Sequence, residues 1–438
     1  MTKFIKGSKK VLNAWAFYDW ANSVYNLTIV SALFPIFYGA LFLKGEAIDF
    51  LFLENKSYDI VLIYVTAFGY LVVSIISPIL SGIADYTGNK KLFLRLFCYI
   101  GSISSMMLYF FSKDNLELSF LFYAIALIGF WGSLVFYNSY LPDIAYPEQQ
   151  DAISAKGFSM GYIGSVVLLV FNLALVMFPQ SFGIKGDTAG EMKMQAMRIS
   201  FLTVGIWWFG FSHYSYKYLP NLKTGKKVTS EVLVNGFREL SKVWKSFTES
   251  MQLKRFIIAF FVYSMAVQTV MTVATIFGEK EINWGDEDNK STGLIVSILL
   301  IQLVAVLGAQ LTSKLSSKIG NVKTLILING IWIGLCCYAF FVYSPFQFYI
   351  AAAGVGMVMG GVQALSRSTY SKFLPETTDT TSYFSFYDVT EKCAMVIGLF
   401  LYGFIGDMTG SSRNSILALI FFFIIGLILL FRVPKKNE

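Results

Sequence analysis

The chain has 438 residues, of which 55% are hydrophobic and only 14% charged, and its mean hydropathy is +0.60. An average soluble domain carries roughly 25% charged residues, so a water-soluble globular protein is excluded and lipid is the expected solvent. The formal net charge of +8 would suggest nucleic acid in a soluble chain, but here the basic residues gather in the connections between apolar runs, and no nucleic-acid partner is expected.

At the N-terminus Lys3, Lys6, Lys9 and Lys10 precede an apolar run over 14–43. That run is much longer than the roughly 7 to 15 residues of a signal-peptide core, so it is expected to stay as an uncleaved first span. Further apolar stretches of about 20 residues predict spans near 58–84, 92–112, 118–141, 155–178, 197–219, 254–277, 291–313, 323–344, 346–372, 383–406 and 412–432. The polar segment 220–253, with Lys223, Lys226, Lys227, Arg238, Lys242 and Lys245, leaves six spans on each side. The expected fold is therefore an all-α integral membrane protein of twelve transmembrane helices in two pseudo-symmetric bundles, 1–219 and 254–438, joined by a cytoplasmic linker over 220–253. Val232, Leu233, Phe237 and Leu240 recur at near-helical spacing and predict an amphipathic helix in that linker. Basic residues favour the N-tail, the 2–3, 8–9 and 10–11 connections, the central segment and the C-tail, which predicts cytoplasmic termini.

Cys98, Cys336, Cys337 and Cys393 lie in apolar runs without metal-ligand spacing and read as small core hydrophobes. With no H-E-x-x-H, aspartate-rich box or P-loop lysine, the sequence predicts no catalytic residues, no metal, no cofactor and no ATP-driven pumping. His213, near the end of span six, reads as an interfacial residue.

Three polar sets inside the apolar runs carry the chemistry. Span one places Asp19, Asn22, Ser23 and Asn26 at i, i+3, i+4 and i+7, one polar stripe on an otherwise apolar helix. Span ten repeats that spacing with Gln363, Ser366, Arg367 and Tyr370. Span eleven holds Asp388, Glu391 and Lys392, with Lys392 about ten residues deep and so near the bilayer midplane. An ionisable residue at that depth costs roughly 2.5 to 3.5 kcal/mol on insertion scales and is tolerated when paired or facing a polar path. Small-residue stripes at Gly157, Gly161 and Gly164 and at Ala352, Gly356 and Gly360 predict close helix packing.

An internal repeat supports the division into halves. The turn Ser81–Lys91 after span two recurs as Ser313–Lys323 after span eight, and Leu141, Pro142 and Asp143 recur as Leu374, Pro375 and Glu376 at almost the same separation. The first turn resembles the signature G-x-L-A-D-R-x-G-R-K of the major facilitator superfamily, matching it at Asp85, Gly88 and Lys90, with Lys91 extending its basic end. Ser81, Tyr86 and Asn89 depart from it. More specific segments resemble the autophagy-related vacuolar effluxer branch of that superfamily: Trp15 to Ser23 in span one, Phe136, Tyr137 and Asn138 in span four, and Gly360 to Ser368 in span ten.

The resemblance implies a secondary transporter of a small-molecule solute working by alternating access as a monomer, in a bacterial inner membrane given the short loops. Gly82, Asp85, Gly88 and Lys91 are then gating residues. Eukaryotic members of the branch are described as exporting amino acids, which makes amino-acid efflux the expectation. An amino-acid-like solute needs an acidic or amide wall and a basic wall, supplied by Asp19, Asn22, Asn26 and Asn138 and by Gln363 and Arg367. Asp388, Glu391 and Lys392 are the expected coupling set, with protons as the driving ion. The alternatives are an exporter of drug-like or peptide solutes, a polytopic membrane enzyme and a channel.

Overall fold

A computed structural model describes residues 5–43, 46–51, 53–221 and 232–434. The first span opens with helix α1 (Lys9–Val24), passes through a π-helix (Tyr25–Leu33) and closes with α2 (Phe34–Gly39). A short antiparallel hairpin follows, β1 (Ala47–Phe50) with β2 (Leu53–Ser57). Then come α3 (Tyr58–Thr87), α4 (Lys90–Met107), α5 (Leu116–Asn138), the single turn α6 (Leu141–Ile144), α7 (Pro147–Met177) and α8 (Ala189–Tyr218). The second half contains α9 (Val232–Glu249), α10 (Met251–Glu281), α11 (Glu287–Ile319), α12 (Asn321–Phe340), α13 (Pro345–Phe373), α14 (Thr380–Thr409) and α15 (Ser412–Phe431).

Among the described residues, ten helices are long and apolar enough to cross a membrane, and they coincide with predicted spans two to five and seven to twelve. The expected sixth span falls on α8, whose charge-free stretch 199–216 is made less apolar by Trp207, Trp208, His213, Tyr214, Tyr216 and its serines. The expected first span is not one continuous α-helix. Pro35, near the start of α2, has no N–H and its ring conflicts with the carbonyl four residues earlier. The wider π turns lie immediately upstream, and Ser31 Oγ donates to Asn26 O at 3.0 Å, a five-residue return that matches the π repeat. The linker helix expected from sequence is observed as α9. The side chains of Val232, Leu233 and Phe237, and all of Lys3, Lys44, Lys223, Lys226 and Lys227, lie outside the described residues.

The surface inverts the pattern of a soluble protein. Large apolar residues such as Ile63 (63% exposed) and Phe404 (54%) face outward, while Ser105, Asn172 and Asn329 are fully buried. Exposed apolar faces of this extent are stable only against lipid. Cys98 and Cys336 are buried as expected, whereas Cys337 and Cys393 are exposed, because an apolar helix places part of its apolar residues against lipid instead of protein.

The chain groups into two compact units. One comprises Lys9–Asn138 and the described part of Ile163–Gly236. Here α4 and α5 meet so closely that a Cβ on Gly129 would lie 2.4 Å from Gly101 Cα. The other comprises Ile5–Ser8, Ser139–Tyr162 and the residues from Phe237 onward, so α7 contributes residues 147–162 to it. Its tightest seam joins α11 to α13, where a Cβ on Gly308 would lie 2.0 Å from Met357 O and one on Gly360 2.1 Å from Ala305 O. The small-residue stripe of span ten thus meets backbone. Trp332 of α12 stacks on Phe423 of α15 with centroids 5.5 Å apart, and Arg413 closes the far end by pairing with Glu281 at 2.9 Å while donating to Phe340 O.

Candidate functional site

In the first unit, α1 and α5 share an aromatic seam. Trp15 stacks on Tyr137 at 4.6 Å and donates its indole N–H to Tyr137 O at 2.8 Å. These two contacts fix the Tyr137 ring, and its hydroxyl donates to Asp19 Oδ2 at 2.8 Å. Asp19 is buried, and one turn later so is Asn22, whose Oδ1 accepts from Ser23 Oγ at 3.3 Å. Among the described residues, Asn22 Nδ2 and the hydroxyl of Tyr25 are buried without a hydrogen-bond partner, two unsatisfied polar atoms close together on the first span. Asn26 lies in the π segment and is exposed, so the stripe drawn from a 3.6-residue period ends at Ser23, before the π turns begin. Asn138, the last residue of α5, is half-buried.

The turn after α3 is built around Gly88, which adopts φ +64°, ψ 25°, where a side chain would be strained. Gly88 N–H donates to Asp85 O at 3.2 Å and Asn89 N–H to Ala84 O at 3.0 Å, closing the helix. Gly82 and Asp85 are buried on the last turns, and Lys91 Nζ donates to Leu219 O at 2.8 Å, tying this turn to the end of α8.

The second unit holds three polar loci. Arg367 of α13 is buried and fully engaged: Nε donates to Ser154 Oγ and Nη2 to Ser154 O, both at 3.0 Å, while the guanidinium lies 4.1 Å from the Phe158 ring centroid. Ser154 Oγ in turn donates to Ala364 O at 2.7 Å. One turn before Arg367, Gln363 accepts from Tyr162 Oη at 2.6 Å. Gln363 and Arg367 of the span-ten stripe thus face residues 154–162 of α7 through hydrogen bonds and a cation–π contact, whereas Ser366 and Tyr370 turn to Tyr263 and to Tyr383 O.

The second locus was not visible in the sequence. Asp151 of α7 accepts from Lys372 Nζ (2.6 Å) on α13, Ser316 Oγ (3.0 Å) at the end of α11 and Asn321 Nδ2 (2.9 Å) at the start of α12. Asn321 also donates to Thr369 Oγ1 and accepts from Lys372 Nζ. One carboxylate therefore gathers three helices that follow the central segment onto a helix that precedes it. Ser316 and Asn321 belong to the repeated turn of the second half, and Gly320 between them has φ +88°.

At the third locus, Lys392 and Asp388 form a buried ion pair one turn apart on α14. Glu391 instead faces α10, where Gln268 Nε2 donates to its Oε1 at 2.7 Å. Next to them Tyr263 and Ser366 share a hydroxyl–hydroxyl bond of 2.7 Å, and Tyr387 stacks on Phe260 at 4.3 Å. His213 sits on the exposed face of α8, with Nδ1 bonded to Phe209 O and Nε2 to Tyr99 Oη. Among the described residues, no group of His, Cys, Asp and Glu is arranged to hold a metal ion.

The geometry has counterparts among known proteins. The chain is 30% identical to an uncharacterized MFS-type transporter, YxiO, of Bacillus subtilis, over 99% of this chain and 97% of that one. It is 26% identical to autophagy-related protein 22 of Saccharomyces cerevisiae, over 88% of this chain and 78% of the yeast protein. Among solved structures it resembles the fucose:proton symporter FucP of E. coli, with a TM-score of 0.70, 15% identity and coverage of 98% of both chains. A second structure of FucP, in the outward conformation, gives a TM-score of 0.71 at 15% identity, over 98% of this chain and 99% of that one. These likenesses establish the major facilitator fold and an integral membrane transporter. The model of the family described as "Vacuole effluxer Atg22 like" matches residues 7–438, and the chain belongs to that family.

Proposed function

We propose that this transporter moves a small polar solute by alternating access, acting as a monomer in a bacterial inner membrane with both termini cytoplasmic. The observation that carries the reading is the Asp151 cluster, which joins α7 to the ends of α11, α12 and α13 through one carboxylate. Charge-assisted contacts at helix ends can break and reform as a unit, as a gate must, whereas a continuous apolar seam would resist sliding. Asp85, with Gly82, Gly88 and Lys91, forms the corresponding device at the turn after α3.

The solute is amino-acid-like in this reading. Asp19, Asn22, Asn26 and Asn138 supply acidic and amide groups, while Gln363 and Arg367 supply an amide and a cation, the pair of chemistries that a zwitterion requires. Support comes from the unsatisfied Asn22 Nδ2 beside the satisfied Asp19. Transport is proton-linked, with Asp19, or the Asp388, Glu391 and Lys392 set, as carrier. The direction is export, by likeness to the family description.

The test is counterflow in proteoliposomes containing the purified full chain, screened with a panel of labelled amino acids. Saturable exchange of at least one amino acid supports the proposal. Exchange confined to peptides or drug-like cations would replace the solute class, and ion conductance or chemical conversion of the solute would replace the carrier mechanism.

A further inference from the structure

The helix α9 has no role in the transport reading, yet its faces are sharply divided. Val243 and Phe247 are buried, and Phe247 packs on Tyr383 (5.3 Å) and Phe386 (5.5 Å) at the start of α14 and on Tyr370 (6.4 Å) near the end of α13. The helix is thereby held at one end of its unit, next to the mouths of two membrane-spanning helices. Arg238, Lys242 and Lys245 recur at i, i+4 and i+7 on the opposite side and are all exposed.

Between these faces stands Trp244, 63% exposed, its ring centroid 5.8 Å from that of Phe386. Met251, which opens α10, is 56% exposed, and Lys254, Arg255 and Arg432 add exposed cations nearby in the fold. Glu249, four residues after Lys245, is an exposed acid on the same face at the helix end. Water alone does not favour an exposed indole beside a basic stripe. The bilayer interface does, because tryptophan settles at headgroup depth and lysine and arginine reach the phosphates above it.

We propose that α9 lies in the membrane interface, with Trp244 at headgroup depth and Arg238, Lys242 and Lys245 holding anionic phospholipid. The surface fits an anionic lipid headgroup because three exposed cations recur on one helix face, with an exposed indole at its flank.

The test uses the full chain reconstituted in phosphatidylcholine vesicles doped with either dibrominated phosphatidylglycerol or dibrominated phosphatidylcholine. The Trp244 signal is the difference in tryptophan quenching between the wild type and Trp244→Phe. The expected result is quenching by both lipids with a clear excess for phosphatidylglycerol, and loss of the excess, with residual quenching retained, in the triple variant Arg238→Gln, Lys242→Gln, Lys245→Gln. Raised ionic strength should reduce the excess in the wild type. No Trp244 quenching by either lipid, equal quenching in the wild type, or an excess that survives the triple substitution would each overturn the proposal.

Discussion

Lys372 Nζ lies 2.6 Å from Asp151 Oδ2, an ion pair between α13 and α7 in which the carboxylate is almost wholly buried. The same oxygen accepts from Ser316, and the second oxygen from Asn321, so three of the roughly four acceptor sites of the Asp151 carboxylate are used. A carboxylate so placed is costly to lose, because its donors remain behind.

Asp151→Ala should therefore destabilise the detergent-purified protein by about 3 kcal/mol, while Asp151→Asn, which keeps an acceptor, should cost about 1 kcal/mol. Thermal unfolding would rank the two. If the cluster is a gate, Asp151→Ala should also raise cytoplasmic accessibility of a cysteine placed at Ser159, whose present contact is with Gln310. Unchanged labelling with lowered stability would leave Asp151 as a structural pin.

At the turn after α3, Gly88→Ala should cost about 1 kcal/mol, since φ +64° is open to glycine without penalty. Asp85→Asn should leave the fold intact, reduce counterflow and shift the population toward the inward-open form, measured by double electron–electron resonance between labels on the two bundles. Wild-type flux together with a wild-type distance distribution would remove Asp85 from gating.

The α11–α13 seam gives a different kind of prediction. A methyl at Gly360 would meet Ala305 O at 2.1 Å, a contact with backbone that no rotamer change relieves. Gly360→Ala should cost roughly 1–3 kcal/mol or more by overpacking, whereas Ala substitution at Gly334, which has open space, should be nearly silent. Comparing folded yield on size-exclusion chromatography tests both at once.

The parts legible in the sequence were those that violate a membrane rule. Arg367, Asp19, Asp388 and Lys392 stood out because charge inside an apolar run demands an explanation, and the glycine stripe stood out for the same reason of rarity. Asp151 and Ser154 did not, because the apolar window of span five opens at 155 while the helix itself opens at Pro147. Its first two turns are polar, and hydropathy assigns them to a loop. Gln268 was hidden by neutrality: one amide in a long apolar stretch carries no signal until Glu391 is seen opposite it. The π-helix had no reader either, since periodicity arguments assume the period that it breaks.

Within α14, Lys392 and Asp388 pair with each other while Glu391 turns to Gln268, so the three residues divide into a pin and a separate acid. Lys392→Met alone should leave Asp388 buried without its cation and cost about 3 kcal/mol, and Asp388→Asn alone a similar amount. The double variant should recover at least half of the summed loss, a coupling that a double-mutant cycle in thermal stability measures. Glu391→Gln should instead preserve stability, because an amide still accepts from Gln268, and should change flux only if Glu391 carries a proton.

The last prediction concerns Asp19, whose carboxylate is buried and accepts from Tyr137 Oη at 2.8 Å. A proton carrier must exchange its proton in one state and hold it in another, so a carrier at Asp19 links solute movement to the pH gradient through a group that Tyr137 orients. Asp19→Asn fixes the neutral form with nearly the same shape and keeps an acceptor for Tyr137. It should abolish flux driven by a pH gradient while sparing solute counterflow, because exchange of solute for solute needs no net proton transfer. Tyr137→Phe should weaken the gradient-driven mode by an intermediate factor, since the carboxylate stays but loses the Tyr137 hydroxyl that orients it. Loss of both modes in Asp19→Asn would assign the residue to solute binding or folding instead. Wild-type gradient-driven flux in Asp19→Asn, in Asp388→Asn and in Glu391→Gln, each assayed alone, would remove all three proposed proton carriers and leave the gradient coupled elsewhere.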